Sequence, residues 1–285
     1  MKIDKWALFD VSRKSVRFTL TNGVKGNSNL LTQILPFGSS PGEALKYVLI
    51  DDVAYFSYLK MNGETGKGIV LVFDSMETPE NLLGLVPELT STLITPPSET
   101  ILTLEGGKVQ PEPITLRGFD YAIFSLLTQS PIIAIGTQAE ILRLLTAISF
   151  STPQDLKTGL SFVSQSTSLS ENVNLIGMPL SKEVLEQVDA TKGKYTIVLF
   201  GDRVYGRYSS QLTKKIGKLA KTGHYRQIKQ LLADFWQIVI QTDEITSALD
   251  FAANNSLHLS DAQLALIMRA KYFEKEMPKE LFKEG

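Results

Sequence analysis

The chain predicts an α+β protein, and three observations carry that prediction. Runs of β-forming residues separated by turn dipeptides fill roughly the first quarter. Strand-length apolar runs alternate with short helical patterns through the middle, and patterns of helical period dominate after Ser210. The expected organisation is a β-rich lobe over 1–95, an antiparallel meander plus a helix, and a Pro/Gly-rich connection over 96–118. A mixed αβ lobe over 119–209 and a helical bundle over 210–285 complete it.

Trp6–Phe9 and Val16–Leu20 open the chain as strands, and Asn22-Gly23 is a residue pair that accepts positive φ in a tight turn. Leu45–Leu49, Val53–Leu59 and Gly68–Phe73 follow as a three-strand meander, turned at Asp51-Asp52 and again over Asn62–Gly66. Leu82, Val86, Leu89 and Leu93 then recur at helical spacing behind a Thr78 cap and Pro79. Pro87 falls inside the pattern, so a kink or two short helices are expected. Pro96, Pro97, Pro111 and Pro113 cluster with Gly106-Gly107 as the connection, with a short strand over Ile101–Leu104 between them.

In the middle section, Pro131–Ile135 reads as a strand, and Thr137 with Glu140 matches a capping box opening a helix over Ile141–Ile148. Leu160–Ser164 and Val173–Ile176 read as strands on either side of a Ser-rich link, and Ser181–Val188 as a short helix. Tyr195–Phe200 and Arg203–Tyr208 form a hairpin about Gly201-Asp202. Leu212, Ile216 and Leu219 line a first C-terminal helix ending near Gly223; Ile228, Leu231, Leu232, Phe235 and Val239 line a longer second. Thr242 is the expected cap of a third helix carrying Ile245, Leu249 and Phe251, and Ser260 with Gln263 that of a last helix through Phe273. No internal repeat is evident.

Composition limits the chemistry. The 285 residues include no cysteine and two histidines, His224 and His258. That excludes disulfide frameworks, cysteine nucleophiles and iron–sulfur clusters, and leaves no basis for a zinc finger or a histidine-rich metal site. No cofactor and no metal are expected. The opening Met1–Trp6 mixes acid and base with no apolar run of signal-peptide length behind it, and no apolar run reaches spanning length. A soluble cytoplasmic protein is the expectation.

The near-matches to catalytic motifs fail on specific atoms. Gly38-Ser39-Ser40-Pro41-Gly42 spells a nucleophile elbow, but the oxyanion hole would need the N–H of Pro41, which has none. Ser40 as a helix cap or turn residue, with Pro41 in the first turn and Glu43 third, is the simpler reading. Gly63–Gly68 lacks the first glycine and the Ser/Thr of a phosphate loop, since Met61 and Gly68 stand there, and it lies between strands; a hairpin loop is expected. Solvated or capping roles are expected for both histidines.

One feature rises above background. The formal net charge is −1, yet eight basic residues and no acidic one fall between Arg203 and Lys229: Arg203, Arg207, Lys214, Lys215, Lys218, Lys221, Arg226 and Lys229. Lys214, Lys218 and Lys221 share a helix face opposite Leu212, Ile216 and Leu219, giving a basic amphipathic helix. Such a surface suits an acidic protein, the phosphates of a nucleic acid or an anionic membrane surface, expected in that order. A solvated lysine face with no ligand is the competing reading. The last two helices could be spelled as a helix-turn-helix, but Asp261-Ala262-Gln263-Leu264 offers no base before Arg269 to a major groove.

The order of elements, a meander then a helix then an αβ section with trailing helices, is similar to longin- or profilin-like modules in regulators of small GTPases, in architecture alone. The leading expectation is a non-enzymatic adaptor, regulatory or assembly protein binding a macromolecular partner. A nucleic-acid-associated protein using 203–229 is the second. The third is an enzyme whose Asp, Glu, Lys, Arg or Tyr residues come together only in the fold, which a deep pocket holding carboxylates would favour.

Overall fold

The computed structural model describes residues 1–12, 15–24, 28–36, 42–74, 79–97, 100–107, 109–116, 118–153, 156, 160–169, 173–191, 195–199, 203–205, 208–241 and 247–273. Its first elements are β1 (Lys2–Ile3), β2 (Lys5–Ser12), β3 (Ser15–Asn22), α1 (Ser28–Ile34), β4 (Gly42–Ile50), β5 (Val53–Asn62) and β6 (Thr65–Phe73). Then come α2 (Pro79–Leu83), α3 (Val86–Ile94), β7 (Leu102–Thr103), α4 (Phe119–Leu127), β8 (Ile132–Ile135), α5 (Gln138–Ser151), β9 (Phe162–Val163) and β10 (Leu175–Met178). The chain continues through α6 (Lys182–Asp189), β11 (Thr196–Leu199), β12 (Arg203–Tyr205), α7 (Gln211–Ala220), α8 (Tyr225–Gln241), α9 (Ala248–Asn254) and α10 (Leu259–Tyr272). The fold class is α+β, as its sequence predicts.

A ten-stranded sheet in the order β12-β11-β8-β10-β9-β4-β5-β6-β2-β3 forms the frame. From β4 to β3 it is antiparallel, its register set by tight turns at Asp51-Asp52, both at positive φ, and at Gly63. From β9 to β11 it is parallel, and its short strands, apolar and buried on both faces, are those of a covered sheet. The two parts meet where β4 pairs antiparallel with β9. There Tyr47 and Phe162 stack at 5.9 Å, and Ser164 donates its N–H to the Leu45 carbonyl while its Oγ accepts from the Leu45 N–H.

Helices cover both faces. On one, α3, α4, α5, α7, α8 and α10 pack on Leu45, Tyr47, Phe56, Ile69, Leu71, Ala134, Phe162 and Leu175. On the other, Ile34 of α1 and Val184 and Val188 of α6 pack with Phe9, Val48, Val70, Ile133 and Ile176. The alternation along β6, Ile69 and Leu71 to one core and Val70 and Val72 to the other, follows from the two-residue period of a strand.

The Pro/Gly-rich connection is packed at both ends. The Glu88 carboxylate of α3 accepts from the N–H groups of Glu105 and Gly106, and Gly107 N–H donates to the Gly84 carbonyl at 2.8 Å. Further on, Ile114 N–H reaches the Ala220 carbonyl, and Tyr225 Oη donates to the Glu112 carbonyl at 2.7 Å.

Several local readings change. Of the two readings of Ser40, a helix start is not formed by the described part of Ser40–Glu43: Gly42 and Glu43 open β4, whose register with β5 is fixed by the turn beyond it, and Ser40 itself lies outside the described residues. Helix α1 has too few turns to give a periodic pattern and was not expected. Pro87 does divide its segment, into α2 and α3. The last helix is capped by His258, whose ring accepts from Ser260 N–H, and Ser260 lies inside the helix. The preceding helix is capped by Ser247; Thr242, Thr78 and the turn at Gly201-Asp202 lie outside the described residues. Leu249 is 68 % exposed while Phe251, two residues on, is buried, because residues two apart point to nearly opposite sides of a helix.

Candidate functional site: a cationic helical face and a charged hollow

The Arg203–Lys229 segment builds two consecutive helices. Ser210 opens α7 with a reciprocal cap: its Oγ accepts from Thr213 N–H, and Thr213 Oγ1 accepts from Ser210 N–H at 2.8 Å. A second cap comes from far along the chain, since Asp261 accepts from Leu212 N–H at 2.8 Å and Ser260 Oγ from Gln211 N–H. Gly223, at φ +73°, turns the chain into α8. Thr213, Ile216 and Ala220 of α7 and Tyr225, Ile228, Leu232, Phe235 and Trp236 of α8 are buried.

The opposite faces carry the charge. Lys214, Lys215, Lys218, Lys221, Arg226 and Lys229 are all exposed, and none of them makes an ion pair among the described residues. The helix dipoles divide this set. Lys218 and Lys221 sit at the C-terminal end of α7, where a cation is stabilised with no ligand at all. Arg226 sits in the first turn of α8, which holds no acid, so its charge opposes the dipole there. Arg203 lies on the edge strand β12, opposite Leu199, and Arg207 lies outside the described residues. The fold therefore joins six of the eight predicted cations on a helical hairpin.

The last helix is occupied elsewhere. Ser260 and Asp261, at the start of the would-be recognition helix, cap α7, and Ala262, Leu264, Ala265, Leu266, Met268 and Arg269 are buried. A helix packed on so many sides has no free face for a groove. Both histidines lie in caps and turns: His258 as above, and His224 with its Nδ1 2.6 Å from Thr222 Oγ1.

A second charged region was not anticipated by its sequence. Helix α3 covers only part of its sheet face. Tyr58 of β5 lies beneath it, its hydroxyl 2.8 Å from Thr90 Oγ1. One strand repeat further, directly paired residues form a row across five strands: Glu43 with Lys60, Lys60 with Lys67, Lys67 with Asp10, and Asp10 with Arg17. Paired residues share a sheet face, and that face is the one α3 covers, because Lys60 stands two residues beyond Tyr58. The next row, Asn62, Thr65, Ser12 and Ser15, is polar. Apart from Glu43, these two rows floor an open hollow of about 970 Å³ whose wall includes Thr90, Leu93 and Ile94.

The glycines of Gly63–Gly68 have a structural reason here. They lie in a turn and on β6, and a Cβ at Gly68 would fall 2.2 Å from Phe9 Cζ. Close approach of an aromatic ring, not of a phosphate, explains Gly68. Gly38 to Pro41 lie outside the described residues. A second hollow of about 350 Å³ is lined by residues such as Gln129, Ser161, Asn174 and Tyr195, with no acidic residue among the described residues of its wall. Among the described residues no group of three or more His, Asp or Glu could hold a metal ion, and no helix is long and apolar enough to cross a membrane. No known protein family matches the chain, and neither does any curated protein.

Proposed function

We propose that the protein is a non-enzymatic cytoplasmic adaptor or regulatory protein that binds an acidic protein partner through the cationic face of α7 and α8. The observation that carries this reading is the set of six exposed cations on one helical hairpin without an ion pair among the described residues. Arg226 adds weight, since a cation in the first turn of a helix lowers stability and is better accounted for by a ligand than by the fold. A protein partner is preferred to nucleic acid because the helix that could have entered a groove is buried and its first residues cap α7.

The test is affinity capture from native lysate at low and high salt, with and without nuclease, by the wild-type protein and by the triple variant Lys214→Glu/Lys218→Glu/Lys221→Glu. The expected result is a partner retained after nuclease and lost both at high salt and with the triple variant, whose circular dichroism matches the wild type. Loss of all capture on nuclease treatment would overturn the proposal in favour of nucleic acid. Capture unaffected by the triple substitution would remove α7 from the interface.

A further inference from the structure

We infer that the open hollow beside α3 binds a small amphiphilic carboxylate, its charged head held by Arg17 and Lys67 and its apolar chain lying along Leu93 and Ile94. The argument is independent of α7 and α8.

The floor is set against itself electrostatically. Lys60 and Lys67 stand directly opposite each other on neighbouring strands, a like-charge arrangement that destabilises a sheet. Glu43 relieves one of them, with its Oε1 3.7 Å from Lys60 Nζ. Lys67 and Arg17 flank Asp10 on either side, yet neither makes an ion pair with it among the described residues. Two cations against one carboxylate leave a single net positive charge on the open part of the floor, which suits a monoanion.

Lys67 and Arg17 stand two strand spacings apart, about 10 Å at the backbone, a gap that their long side chains can close around one carboxylate group. The next row adds a further donor: Ser12 and Ser15 share one hydrogen bond between their Oγ atoms at 3.0 Å, which leaves one hydroxyl proton of that pair for the head, while Thr65 Oγ1 donates to the Asn62 carbonyl. The wall is apolar where α3 ends. Leu93 lines it, and Ile94 is 78 % exposed at the rim, more than any other large apolar residue described. A chain laid against Ile94 removes apolar area from water on both partners. At about 970 Å³ the hollow is of small-ligand size.

Octanoate is the probe, titrated by isothermal calorimetry into the full chain, with acetate (no chain), octanol (no charge) and octylammonium (opposite charge) as comparisons. Saturable binding of one octanoate is expected, with the other three much weaker. Arg17→Gln/Lys67→Gln should weaken octanoate by about tenfold or more, as loss of a charge-assisted contact does. Asp10→Asn should tighten it, because it removes the one anion beside the head. Ile94→Ser, at an exposed position that folding does not depend on, should weaken octanoate and leave acetate unchanged. Absence of saturable binding, octanol binding as well as octanoate, or an Arg17→Gln/Lys67→Gln affinity equal to wild type would each overturn the assignment. The triple α7 variant should bind octanoate like wild type, so the two proposals fail separately.

Discussion

Tyr58 and Tyr225 show how single residues tie this fold to pH. Both are buried core residues, and burial pushes both phenols up to about 12 from an ordinary value near 10. Their hydroxyls still meet partners, Thr90 Oγ1 for Tyr58 and the Glu112 carbonyl for Tyr225. Because the folded-state pKa is raised, folding favours the protonated phenol. The stabilisation is complete below pH about 10 and is lost as pH rises toward about 12, since the unfolded chain releases its protons first. Thermal melts across that window should show a falling midpoint in the wild type and a shallower fall in Tyr58→Phe/Tyr225→Phe. An unchanged slope in the double variant would show that other groups govern the alkaline limit. Neither burial nor partner is visible in the sequence, where Tyr58 reads only as part of a strand of the meander.

At the scale of elements, a cap written in neighbouring residues was legible at Thr137 but not at Ser247 or His258, and the cap written in distant residues was not legible at all. Thr137 and Glu140 form the reciprocal cap that their spacing predicts, because both partners lie in one turn. Ser260 with Gln263 has the same spelling but does not cap its helix, because His258 takes that place and Ser260 turns its hydroxyl to α7. Asp261 is the stronger member of that long-range cap, adding a negative charge at the N-terminus of α7. Asp261→Ala should therefore cost about 1 kcal/mol, with Asp261→Asn losing less because it keeps an acceptor. Urea denaturation measures this, and a loss within error of zero for Asp261→Ala would mean that Ser210 alone satisfies the start of α7. The cationic face of α7 followed directly from helical period, since Lys214, Lys218 and Lys221 are local to one another. The charged row was only half legible. Glu43, Lys60 and Lys67 are set opposite one another by two tight turns, whereas Asp10 and Arg17 join them through the pairing of β2 with β6, which no local signal announces.

On the scale of the whole molecule, the sheet and the larger core run through all parts of the chain. That core contains both tryptophans, Trp6 in β2 and Trp236 in α8. The strands from β4 to β3 connect to the parallel strands through the short β4–β9 pairing and the Tyr47–Phe162 stack. The 104–116 segment adds a second tie, from Glu88 to Tyr225. Shared burial of this kind couples unfolding. Urea transitions followed through Trp6 alone, in Trp236→Phe, and through Trp236 alone, in Trp6→Phe, should coincide once each variant's own stability is allowed for by circular dichroism. A fluorescence transition displaced from the circular dichroism transition of the same variant would show that the lobes unfold separately.

By itself the sequence determined what depends on neighbours in the chain: the α+β class, the meander, the division at Pro87, the basic face of α7 and the want of cysteine chemistry. Propensity, turn geometry and helical period act over a few residues, so they can be read from a few residues. Only the tertiary structure decided which strands lie side by side, which cap serves which helix, and where Arg17, Asp10 and Lys67 meet. Those arrangements arise from burying two sheet faces at once, and that requirement joins residues far apart in the chain.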